Sequence, residues 1–233
     1  MLFIIGDLHG EWQFFSLFEE QLEKDGRLDA PISIIQVGDF GFYPEYMDYW
    51  KGCKWPVYAI DGNHEHFGYL KQFKDVSEVR QNLFYVPRGK VLELEGYRIG
   101  FIGGAESVDV KWREEGISWF PEERVLEIEA DRIRNEKLDI LISHAPPSSV
   151  ISRNFAPLNK LSWGLPADWE DVSSKVIEKL WCDLGRIPMF CGHMHRSILD
   201  GNCRILNVDE LYALPENDPN RQLKLWKNKA QLV

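Results

Sequence analysis

Short apolar runs that each stop at a small cluster of Gly, Asp, Asn and His constrain this chain more than any other feature. Leu2 to Ile5 ends at Gly6-Asp7-Leu8-His9-Gly10, Ile32 to Val37 at Gly38-Asp39, and Val57 to Ile60 at Asp61-Gly62-Asn63-His64. Ile140 to Ser143 ends at His144, and Met189 to Cys191 at Gly192-His193-Met194-His195. Apolar runs of this length bounded by turn residues predict buried strands. Five of the six histidines therefore fall just after predicted strands. Ligands of open α/β sheets collect at the carboxyl ends of strands, because the loops there are anchored by rigid elements and point the same way.

The remaining pattern fills in a scaffold. Apolar spacing from Glu11 to about Lys24 predicts an amphipathic helix, and Lys90–Leu94 with Tyr97–Ile102 predicts a hairpin. Pro121 to about Lys137 is predicted helical, with proline where its missing N–H does no harm, and Asp168 is the expected cap of a helix from Trp169 to about Cys182. Ser197–Leu199 with Cys203–Leu206 predicts a second hairpin, and Leu223–Trp226 a last strand. Helices alternating with strands early and hairpins later predict a mixed-sheet α/β sandwich, in one domain spanning residues 1–233.

GDLHG at Gly6 to Gly10, GD at Gly38 and Asp39, GNHE at Gly62 to Glu65, SHAPP at Ser143 to Pro147 and GHMH at Gly192 to His195 occur in that order. In this the chain resembles the calcineurin-like metallophosphoesterases of phages and bacteria. The resemblance implies a four-layer αββα sandwich of two mixed β-sheets flanked by helices, built around two divalent metal ions. Asp7, His9 and His195 are then expected to hold the first ion, Asn63, His144 and His193 the second, and Asp39 both. It further implies hydrolysis of a phosphodiester or phosphomonoester by metal-bound hydroxide, with His64 as the acid that protonates the departing alkoxide. Imidazole and carboxylate donors suit manganese, with iron, zinc or nickel as alternatives. Glycines 6, 10, 38, 62 and 192 are expected to supply positive φ where backbones crowd the metals.

The sequence departs from the family where its protein phosphatases carry a further Asp and Arg after the GD pair. Here Phe42 and Tyr43 stand instead, which leaves open what orients His64 and what clamps phosphate, and counts against a Ser/Thr protein phosphatase. The stretch Gly103 to Trp119 is the expected flap over the metals, with Lys111, Arg113 and Asn63 as substrate contacts and the loop Pro146 to Ser162 as the opposite wall. Glu106 and Asp109 are expected on the flap surface, and His66, outside every block, as a structural residue.

A net charge of −10 disfavours nucleic acid and anionic membranes as partners and favours a small or nucleotide-like phosphoester drawn in by the metals. Four cysteines without paired spacing are expected as free buried thiols. No signal-peptide pattern and no long apolar run is present, so a cytoplasmic location is expected. Two alternatives remain: a protein phosphatase, or a non-enzymatic scaffold on the same fold, the latter opposed by His64. Oligomeric state and the choice between monoester and diester stay open.

Overall fold

The period-two alternation of the apolar runs sorts their side chains to opposite faces, and the buried clusters follow that sorting. The structure is a computed structural model and describes residues 1–26 and 29–214. Its strands are β1 (Leu2–Ile5), β2 (Ser33–Gln36), β3 (Val57–Ala59), β4 (Ser77–Arg80), β5 (Leu83–Tyr85), β6 (Lys90–Leu94), β7 (Tyr97–Ile102), β8 (Ile140–Ser143), β9 (Met189–Cys191), β10 (Ile198–Asp200), β11 (Cys203–Ile205) and β12 (Leu211–Leu214). They form two six-stranded sheets in the orders β12-β1-β2-β3-β5-β4 and β10-β11-β9-β8-β7-β6. Each sheet is mixed: its four central strands run parallel and both edge strands are antiparallel to their neighbours.

Ile4 and Ile35 of the first sheet pack with Ile99, Phe101 and Ile142 of the second in one cluster between the sheets. Their neighbours Phe3, Ile5 and Ile34 point the other way, onto Phe14, Phe15 and Phe18 of helix α1 (Gln13–Lys24). Leu141, Met189 and Ile205 likewise leave the shared layer to meet the outer helix that carries Val176, Ile177 and Leu180. The order helix, sheet, sheet, helix is the expected four-layer α/β sandwich of two mixed sheets.

Three helical expectations shift. The stretch from Pro121 to Lys137 is not one helix but a 3-10 turn at Pro121–Glu123 followed by α3 (Glu127–Ala130), after the short α2 (Phe67–Leu70). The cause is the buried Arg88 guanidinium, which donates to the carbonyls of Glu122 at 2.8 Å, Glu123 at 3.2 Å and Arg124 at 2.7 Å. Turned toward Arg88, those oxygens are not available to accept from the amides four residues on. The expected loop from Pro146 to Ser162 instead contains α4 (Ser148–Asn154) and enters α5 (Lys160–Trp163). The last long helix, α6, runs Val172–Asp183 and is capped by Asp171, not Asp168, through a 2.8 Å bond from the Ser174 amide.

The short strands β4, β5 and β12 were not expected from the pattern, and the predicted strand at Leu223–Trp226 lies outside the described residues. Among the described residues no helix is long and apolar enough to cross a membrane. All four cysteines are free, as expected, but Cys182 is exposed while Cys53, Cys191 and Cys203 are buried.

Candidate metal centre

The loops after β1, β2, β3, β8 and β9 converge because their backbones are bonded to one another. His9 donates its amide to the Asp39 carbonyl at 2.7 Å, Gly10 to Phe40 at 3.1 Å, His66 to Phe42 at 3.3 Å, and Gly192 to His144 at 3.1 Å. Parallel central strands aim all five loops at one end of the sandwich, where two carboxylates, Asp7 and Asp39, lie buried at 0% and 1% exposure.

Room for those carboxylates depends on glycine. A Cβ on Gly62 would fall 2.0 Å from Asp39 Oδ1, and one on Gly192 would fall 1.9 Å from Asp7 Oδ1. Of the five glycines expected to supply positive φ, only Gly10 and Gly38 do so, while Gly6, Gly62 and Gly192 provide space. The left-handed backbone falls instead on the polar residues themselves: His9 at φ 48°, Asp39 at 55°, His193 at 67° and His195 at 48°. Non-glycine residues held there cost of order 1–3 kcal/mol each, and such strain clusters at functional sites.

The donor atoms form two adjoining groups. On one side, single donor atoms of Asp7, His9, Asp39 and His195 all lie within 4.8 Å of one another, a group able to hold a metal ion. His9 Nε2 is 3.1 Å from His195 Nε2, and His195 Nε2 is 3.2 Å from Asp7 Oδ2. On the other side, His144 Nε2 sits 3.1 Å from Asn63 Oδ1 and 3.4 Å from Asp39 Oδ2, with the His193 ring centred 5.1 Å from that of His144. Asp39 belongs to both: its Oδ1 accepts the His64 amide at 2.8 Å, leaving Oδ2 between His144 Nε2 at 3.4 Å and His9 Nε2 at 3.8 Å.

The polar groups behind these donors aim them. His144 Nδ1 lies 2.9 Å from the Val37 carbonyl and donates to it, which turns Nε2 toward the site. The Asn63 amide nitrogen donates to Ser107 Oγ at 2.9 Å, so its oxygen faces His144. The Asp7 carboxylate accepts the His193 amide at 3.0 Å.

Charge here is unbalanced without a cation. Among the described residues, neither Asp7 nor Asp39 pairs with a lysine or arginine; their ionisable neighbours are imidazoles. The burial that would raise the Asp39 carboxyl is outweighed by His144, with His64 and His9 adding to it, and Asp39 is held well below the ordinary range. Burial would lower His144, but Asp39 and Asp7 together push it up to about 9. Burial and then His144 drive His193 down to about 3. Two buried carboxylates surrounded by imidazoles form a donor set suited to divalent cations, in ligand type and in charge.

His64 stands beside this cluster, its ring centred 5.5 Å from that of His9. Burial lowers its pKa, with Asp39 acting in opposition. His66 points elsewhere: its Nδ1 accepts the Tyr69 amide at 3.0 Å and caps α2.

Arg113 does not extend into open space. Its side chain is 7% exposed, and it donates to Ser118 O at 2.5 Å, Ser107 Oγ at 2.6 Å, Asn63 O at 2.9 Å and Glu123 Oε1 at 2.7 Å. With those donors committed internally, it braces the Asn63 loop from behind and is no free phosphate clamp. Lys111 is exposed and lies over the Trp112 ring at 5.8 Å. The rings of Trp112 and Trp163 meet 5.7 Å apart, so the stretch after Gly103 touches the residue that follows the loop Pro146 to Ser162. Glu106, expected on the surface, is buried and pairs with Arg124 at 2.7 Å.

Glu65 is a further site residue that pattern reading left without a role. Fully buried, it accepts the amides of Phe40 at 2.7 Å, Gly41 at 3.2 Å and Phe42 at 2.5 Å, fastening the loop that carries Asp39. The signal was the Phe40-Gly41-Phe42 turn, where Gly41 at φ 98° lets successive amides converge on one anion.

A two-sheet sandwich whose strand ends gather carboxylates and imidazoles defines a class of site able to hold metal ions. Residues 2–197 match the model of the calcineurin-like phosphoesterase family, and the chain belongs to that family. No curated protein matches the chain.

Proposed function

We propose that this protein is a dinuclear phosphoesterase in which Asp7, His9 and His195 hold one divalent ion, Asn63, His144 and His193 hold a second, and Asp39 serves both. The observation that carries the reading is the position of Asp39 Oδ2 between His144 Nε2 at 3.4 Å and His9 Nε2 at 3.8 Å. A carboxylate oxygen flanked by two imidazole nitrogens suits a pair of ions about 3.5–4 Å apart, the spacing used for in-line displacement at phosphorus. When bound, such ions supply Lewis acidity, activating water at neutral pH and neutralising phosphoryl charge. Mixed imidazole and carboxylate donors suit manganese, with iron, zinc or nickel as alternatives, and manganese is the ion used in the tests below.

The protein's own groups complete the chemistry. Asp39 fixes the His64 main chain through its Oδ1, and the His64 imidazole is set to give its proton to the leaving oxygen. A cleft of about 480 Å³ lined by Gly10, Glu11, Gln13, Ser16, Tyr49 and Lys51 starts one residue beyond His9, and neither the proposed ligands nor His64 line it. A cytoplasmic setting fits the free thiols.

Turnover of bis-p-nitrophenyl phosphate against p-nitrophenyl phosphate, with manganese and after chelation, tests the reading and separates diesterase from monoesterase. No turnover of any phosphoester with manganese present would overturn it. His64→Ala is expected to keep its manganese and to lose about 10²–10⁴-fold in turnover on an alkyl phosphoester. The loss on p-nitrophenyl esters should be smaller, because p-nitrophenolate departs without a proton. Equal losses on both would remove His64 from the acid role.

A further inference from the structure

Behind Asn63 lies a buried polar cluster drawn from the flap: Ser107, Arg113 and Glu123. Ser107 and Glu123 are 3% and 2% exposed, and the Arg113 side chain is 7% exposed. None of the metal-ligand blocks contains these residues. Burial raises the Glu123 carboxyl to about 7, and the Arg113 guanidinium 2.7 Å from it favours the ionised form, which accepts and does not donate. The Ser107 hydroxyl donates its one proton to Glu123 Oε2, and its lone pairs receive Arg113 Nη1 at 2.6 Å and Asn63 Nδ2 at 2.9 Å. Glu123 Oε1 also takes Arg113 Nη2 at 2.7 Å and the Phe120 amide at 3.2 Å.

A hydroxyl whose only proton is already committed can meet Asn63 only as an acceptor. It therefore selects one of the two amide orientations of Asn63, with nitrogen toward the flap and oxygen toward His144 Nε2 at 3.1 Å. The flipped amide would set two acceptors face to face at Ser107 and aim N–H groups at the metal position. Arg113 completes the hold by donating to the Asn63 carbonyl at 2.9 Å, while the next amide, that of His64, donates to Asp39 at 2.8 Å. The peptide joining Asn63 to His64 is thus pinned at both its oxygen and its nitrogen.

We propose that Ser107, polarised by Glu123 and Arg113, is the positioning residue that fixes the Asn63 amide and so sets the affinity of the second metal position. The proposal rests on the reading of Asn63 as a ligand given above. It also explains how this chain aligns its histidine loop where the GD block lacks further charged residues: the flap supplies the brace.

Titration of the full chain with Mn²⁺, followed by the electron paramagnetic resonance signal of the free ion, tests it. Wild type is expected to bind two equivalents and Asn63→Ala to lose the second; a wild-type second equivalent in Asn63→Ala would sink the ligand reading itself. With that reading standing, Ser107→Ala should weaken the second equivalent about 10- to 100-fold, the range for removing an outer partner of a metal ligand, and leave the first unchanged. Wild-type affinity for both equivalents, or equal weakening of both, would overturn the positioning role. Glu123→Gln keeps the shape of the cluster but removes the anion that commits the serine proton, so it too should weaken the second equivalent selectively. If Ser107→Ala does not fold, Glu123→Gln decides the matter by the same two outcomes.

Discussion

Asp39→Ala is expected to lose more than about 100-fold in phosphoester turnover, beyond the upper end for an outer partner of a metal ligand, and to lose manganese from both positions. The reason is geometric. Asp39 Oδ2 is within 4 Å of imidazole nitrogens of both donor groups, so its removal takes a ligand from each. Asp39→Asn is the sharper variant, since its oxygen can still accept the His64 amide that Oδ1 now receives at 2.8 Å. The shape persists while the charge is lost. Thermal melts provide the second measurement. A ligand at about 100 times its dissociation constant stabilises the native state by about 2.7 kcal/mol, and wild type should show that gain with manganese. Asp39→Asn should show little of it. A wild-type manganese content in Asp39→Asn, with turnover intact, would remove Asp39 from the shared position.

Arg88→Ala is expected to destabilise the fold by about 3–5 kcal/mol, measured by urea denaturation without metal, because it strands a buried anion. Arg88 is 7% exposed and donates to Asp61 Oδ2 at 2.7 Å; among the described residues Asp61, at 0% exposure, would retain only the Tyr85 hydroxyl at 2.9 Å as a side-chain donor. Three carbonyls of the segment from Glu122 to Arg124 would lose their donor at the same time. Replacing Arg88 and Asp61 together by apolar residues of similar size should cost less than Arg88→Ala alone, since no charge is then left buried. A loss under about 1 kcal/mol for Arg88→Ala would show that water reaches Asp61. Asp61 directly precedes Gly62 and Asn63, so this pair also anchors the strand end from which the histidine loop departs.

Local pattern alone determined where the strands end and which polar residues they deliver. The predicted runs at Leu2–Ile5, Lys90–Leu94, Tyr97–Ile102, Ile140–Ser143 and Met189–Cys191 coincide with β1, β6, β7, β8 and β9, because an apolar run closed by turn residues carries its own boundary. Asp7, His9, Asp39, Asn63, His144 and His195 are brought together as those boundaries imply. Tertiary structure alone decided what lies behind them. Arg113 was legible as a charge on a flap, yet its use as a brace depends on Asn63 and Glu123 arriving beside it, 50 and 10 residues away. The same holds for Glu65, whose partners are 23 to 25 residues earlier, and for the segment after Pro121, which coils away from a helix because a distant guanidinium takes its carbonyls. Periodicity records which face of an element is buried, whereas the partner of a buried polar group is chosen only when the chain has closed around it.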